Sequence, residues 1–146
     1  MSQYLTVGLK KKDNPKVKIS LWWVCTTPAR RMNSKMNAFP YTQDDVLLDK
    51  ETYFNYLDNI KEYIDEQKES KKKYESEMET YNLKLPLAAN KEVYEAIKED
   101  ISDCKSMIKV FDDDIAEYTN YFNELNFIWI IYDDNIKEWD IYYSNC

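Results

Sequence analysis

Residues 53–81, YFNYLDNIKEYIDEQKESKKKYESEMETY, and residues 97–125, IKEDISDCKSMIKVFDDDIAEYTNYFNEL, decide the fold between them. In the first stretch Tyr53, Leu57, Ile60, Ile64, Gln67, Lys71, Tyr74, Met78 and Tyr81 recur in steps of four and three. Ile97, Ile101, Cys104, Ile108, Phe111, Ile115, Tyr118, Phe122 and Leu125 do the same in the second. Such a rhythm averages about 3.5 residues, which keeps one stripe facing a partner helix along its whole length. The Pro-containing link around Asn82–Asn90 is too short for anything but an antiparallel return. The expectation is a coiled-coil helical hairpin. Its first arm starts between Thr42 and Lys50, with Thr42 and Asp49 as candidate caps, and ends near Leu83; its second starts near Asn90, a suitable N-cap. An even count across the link pairs Tyr74 with Ile101, Lys71 with Cys104 and Ile64 with Phe111. Gln67 and Lys71 leave the first arm polar at mid-seam, a device that fixes register at a cost in stability.

Outward from this hairpin the periodicity changes. Residues 3–12 and 16–27 flank Asp13-Asn14-Pro15, a turn-forming triplet, and read as a β-hairpin. In its second strand Val17, Ile19, Leu21, Trp23 and Cys25 alternate with Lys16, Lys18, Ser20 and Trp22, and from Leu21 to Cys25 both faces are apolar. Residues 28–45 contain two prolines and no sustained period, and read as a long basic loop. At the other end Phe127–Tyr132 is β-branched and aromatic, Asp133-Asp134-Asn135 is a turn, and Ile136–Ser144 alternates again with Trp139, Ile141 and Tyr143 on one face. The expected architecture is a single α+β domain over 1–146: β-hairpin 1–27, basic loop 28–45, helical hairpin 46–125 and β-hairpin 126–146. The two β-hairpins would form one four-stranded antiparallel sheet with the helical hairpin inserted between them.

Composition narrows the function classes. No apolar run approaches the roughly 20 residues needed to span a bilayer, and the first residues lack the order of a secretory signal. Cys25, Cys104 and Cys146 are odd in number and widely spaced, so they read as free thiols in a cytoplasmic protein. Lys, Asn, Ile and Tyr make up 55 of 146 residues and Gly, Ala, Arg and Pro only 13, a bias toward AT-rich codons that fits a low-GC bacterium, its phages or another AT-rich virus. With no histidine there is no Ser-His-Asp or Cys-His constellation, and with Gly8 as the only glycine there is no Gly-rich phosphate loop. No catalytic residue, cofactor or metal is expected. Asp112-Asp113-Asp114 cannot converge on one ion from a helix, where neighbours point in different directions.

Charge is placed unevenly. Residues 1–43 carry eight basic side chains against Asp13, whereas residues 44–146 carry 12 basic against 26 acidic. Three surfaces follow. The acidic helix face, with Glu62, Glu66, Glu69, Asp112 and Asp113, can occupy a basic groove meant for nucleic acid, although charged helix faces are ordinary in soluble proteins. The basic loop, with Arg30, Arg31 and Lys35 and with Trp22 and Tyr41 as aromatics, can hold a nucleotide or phosphate, or form salt bridges with its own acidic chain. The lysines at 10–12, 16 and 18 can track a phosphate backbone beside Tyr4, Trp22 and Trp23, or merely keep an edge strand soluble; a net charge of −7 argues against direct nucleic-acid binding. The leading expectation is a non-enzymatic protein-interaction factor, a phage-type accessory inhibitor of a host nucleic-acid-handling or defence enzyme. The alternatives are a small-molecule or nucleotide-binding protein and an oligomeric assembly protein. The two-sided apolar strands lean toward a homodimer.

Overall fold

The computed structural model describes residues 2–146. The chain is α+β, in the order β1 (Tyr4–Lys11), β2 (Lys18–Cys25), α1 (Thr27–Ser34), β3 (Val46–Leu47), α2 (Lys50–Lys84), a 3-10 turn (Leu85–Leu87), α3 (Lys91–Asp133) and β4 (Trp139–Asn145). The four strands form one antiparallel sheet in the order β2-β1-β4-β3, and the long helical hairpin is inserted between β3 and β4. Contacts divide the chain into two compact units: the segment up to Tyr63 with Thr119–Cys146, and Ile64–Tyr118.

In the sheet unit, one face of the sheet is built from Leu5, Val7 and Leu9 of β1 and their β4 partners Asn145, Tyr143 and Ile141, all buried. The helices cover this face: Trp22 packs on Tyr121 of α3, and Tyr143 on Tyr56 of α2. β2 departs from simple alternation. The register jumps between Val7↔Trp22 and Gly8↔Ser20, leaving Leu21 as the extra residue of a β-bulge. The bulge reverses the expected facing of the following residues, so Trp22 and Val24 are buried while Trp23 is 61% exposed beside Tyr4. It also explains the single glycine. A Cβ on Gly8 would collide with the Ile19 carbonyl oxygen, so the bulged backbone closes onto β1 only where β1 has no side chain.

Three further departures from the sequence reading have identifiable causes. The expected loop at 28–45 contains α1: Pro28 pre-sets the first turn, and Ala29 and Met32, three apart, are buried. The helix start falls at the second of the two candidate caps, with the Thr52 amide donating to Asp49 Oδ1 at 2.7 Å. Thr42 instead donates its hydroxyl to the Asp44 carbonyl, and the β3 pairing intervenes before the helix. Phe127–Tyr132 is the end of α3, and the sheet takes its fourth strand from Val46–Leu47. Leu125, Ile128 and Tyr132, spaced three and four apart, are buried while Phe127 and Ile130 are exposed; helical packing overrides β propensity.

The core joins these elements through aromatics and one polar side chain. Phe39, fully buried at φ 50, packs against Tyr53, Tyr56 and Tyr143 with ring centroids 4.8–6.1 Å apart. Its left-handed backbone is costly for a bulky residue. Asn145 offsets that cost: its amide donates to the Phe39 and Ala29 carbonyls, and its oxygen accepts from Gln3. Tyr53 donates its hydroxyl to the Leu125 carbonyl, and burial pushes this phenol far above its ordinary pKa.

In the helical unit every seam position from Ile64 to Tyr81 and from Ile97 to Tyr118 is buried or half-buried, as the heptads require. The side-chain contacts are offset from the counted pairs. Lys71 Nζ lies 2.6 Å from Asp112 Oδ1, eight residues beyond Cys104, and Tyr74 stacks on Phe111 at 5.7 Å. The chain reverses between Lys84 and Lys91, as the count expects, but long side chains lean toward their own helix N-terminus, so antiparallel neighbours meet across an offset. Asn90 caps α3, accepting from the Val93 amide at 2.9 Å.

Candidate interaction surfaces

The acidic residues read from the sequence lie on the two long helices. Glu62, Glu66 and Glu69 follow one another on α2 in steps of four and three, and all are exposed. Asp112 and Asp113 are exposed on α3, but Asp112 faces the seam closely enough to pair with Lys71. That carboxylate holds the Lys71 ammonium above its ordinary pKa. Residues 64–118 hold 15 acidic and nine basic side chains, a balance of −6 out of the chain's −7. The helical unit therefore carries nearly all of the net charge, and the sheet unit is close to neutral.

The residues of the expected nucleotide-binding set lie on α1, β2 and the segment after α1. Arg30 and Arg31 are consecutive on α1, Lys35 follows that helix, and Tyr41 is 57% exposed beyond it. Trp22 lines a cleft of about 490 Å³ together with Leu21, Asn123, Glu124, Phe127, Ile128 and Ile131, and neither arginine is among the lining residues. There the Trp22 indole N–H donates to Glu124 Oε2 at 2.6 Å. Sequence reasoning missed this cleft because it placed Phe127–Tyr132 in a strand; the i, i+3, i+4 spacing of Phe127, Ile130 and Ile131 was the available signal.

The lysines of the β1–β2 hairpin are largely engaged within the sheet unit. Lys10 and Lys18 each lie 2.9 Å from Asp45 Oδ2 and within 5.6 Å of the Tyr142 ring centre, and Lys12 approaches Asp140. Burial pushes the Asp45 carboxyl up, but the two ammonium groups outweigh this and hold it below its ordinary pKa. The Lys18 ammonium is raised in turn by its hydrogen bond and attraction to Asp45. The charge asymmetry read from the sequence is thus partly an attraction between the chain's own segments.

The cysteines are free thiols. Cys104 is buried in the helical seam, where burial and the carboxylates of Glu77, Asp100 and Asp103 push its pKa up. Among the described residues there is no group of three or more Cys, Asp or Glu side chains arranged to hold a metal ion, and no helix is long and apolar enough to cross a membrane. Comparison with known protein families, curated proteins and solved structures finds no match to this chain.

Proposed function

We propose that the chain is a non-enzymatic protein-interaction factor, a phage-type accessory inhibitor acting in the cytoplasm, that presents helix carboxylates to the basic groove of a nucleic-acid-handling or defence enzyme. The observation that carries the reading is the segregation of charge: the helical unit holds −6 of the net −7, on helices whose acidic side chains are mostly exposed. Carboxylates on regularly spaced helical turns offer a repeating array of negative charge to a surface evolved for phosphates. An isolated basic side chain would gain little from such an array, whereas a basic groove gains at many points at once.

Affinity capture from cells of an AT-rich source lineage, followed by competition with duplex DNA, tests this. A captured enzyme that DNA displaces, that binds quickly at low salt and that weakens as ionic strength rises is the expected result. Reversing Glu62, Glu66 and Glu69 to Lys abolishes capture while circular dichroism shows the helices intact. Capture that survives this triple reversal but is lost on replacing Arg30 and Arg31 refutes the acidic surface and transfers the site to α1.

A further inference from the structure

The cleft between β2 and α3 is lined entirely by residues of the sheet unit. Leu21 and Trp22 are consecutive in β2, and in a regular strand they would point to opposite faces. Both nevertheless line this cleft, because Leu21 is the extra residue of the bulge. The only glycine of the chain stands where the bulged strand presses on β1. Two sequence features therefore converge on building one concave apolar surface, and bulges commonly serve to re-aim side chains at functional positions.

The opposite wall is α3, which contributes Phe127, Ile128 and Ile131, with Phe127 61% exposed. The cleft has one charged lining residue, Glu124, whose carboxylate is oriented by the Trp22 indole. Past the other end of this wall Asp133 and Asp134 are exposed. β2 is also an edge strand, so its outward amides and carbonyls stand beside the cleft. An apolar trough with a fixed carboxylate complements an apolar side chain next to a cation. The bulge disfavours a long self-pairing of two β2 edges, which points away from a second copy of this chain.

We propose that the β2–α3 cleft is a docking site for a short basic–apolar segment of a partner protein, with an apolar side chain between Trp22 and Phe127 and an adjacent Lys or Arg on Glu124. The probes are the synthetic peptides acetyl-KLKLKLK-amide and acetyl-ELELELE-amide, titrated into the full chain and followed by amide and indole NMR. The basic peptide saturably shifts the Trp22 indole signal and the amides of Leu21–Val24 and Asn123–Ile131; the acidic peptide does not. Glu124→Gln, which can still accept from the indole, weakens binding about tenfold, and Ile131→Asp removes it while the remaining spectrum stays dispersed. The proposal is overturned if the basic peptide shifts only signals of residues 64–118, if both peptides bind equally, or if neither binds up to millimolar concentration. It is also overturned if the same signals move with protein concentration alone, which would make a second copy the occupant.

Discussion

The sheet unit and the helical unit are built from the same chain yet stabilised in different ways. The first buries a continuous aromatic and aliphatic core around Phe39, Tyr53, Leu57, Tyr143 and Asn145. The second, among the described residues, has only Ile64, Ile101, Cys104 and Tyr118 as buried apolar side chains, and its seam includes an ion pair that is half in solvent. Two helices alone enclose little volume, so most of their surface stays wet and is free to carry charge. The difference teaches that length of regular structure and density of core are separate properties: the longest elements run through the region with the thinnest core.

Matched truncations would break or sharpen this contrast. Leu57→Ala removes a side chain that is 1% exposed and should cost about 2–5 kcal/mol in denaturant unfolding. Asn145→Ala leaves the Phe39 and Ala29 carbonyls and the Gln3 amide without their partner, and should cost about 1–3 kcal/mol at unchanged denaturant slope. Ile108→Ala, at a half-buried seam position of the helical unit, should cost only about 1 kcal/mol. An equal loss at positions 57 and 108 would erase the distinction.

Charge gives the smaller effects. Because the Asp45 carboxyl is depressed in the fold, its contribution is present above its unfolded pKa near 3.8 and is lost as pH falls through the lower folded value. Lys18 is raised, so its share is present below 10.5 and is lost as pH rises through the higher folded value. Asp45→Asn should therefore flatten both limbs of the stability–pH curve slightly, measured as midpoint shifts against wild type. Lys71→Leu should raise the melting temperature a little, since a seam leucine replaces a pair that is half in solvent. A fall would show that the Lys71–Asp112 pair sets the register of the hairpin.

The contrast also marks what was legible in the sequence. The seam of the helical unit could be read because a repeat of 3.5 over many turns has one physical explanation, and the α+β arrangement followed from where that repeat stops. The side-chain partners within the seam could not be read, because Lys71 reaches Asp112 across the offset that the lean of long side chains creates. In the sheet unit the misreadings have separate causes. Phe127–Tyr132 is short enough to satisfy both periods, and tertiary packing makes it helical; Leu21–Cys25 is the strand expected, turned over by a bulge; and α1 is too short to show a sustained period. The acidic surface was visible in composition; the β2–α3 cleft was hidden because it depends on a bulge and on the helical continuation of α3.

Native-state hydrogen exchange resolved by residue tests the division between the two units most directly. Amides within 64–118 should exchange through local opening, at free energies well below those of β1, β4 and the α2 and α3 segments around Tyr53–Ile60 and Leu125–Tyr132. Equal protection along the whole of α2 and α3, at the free energy of global unfolding, would contradict it.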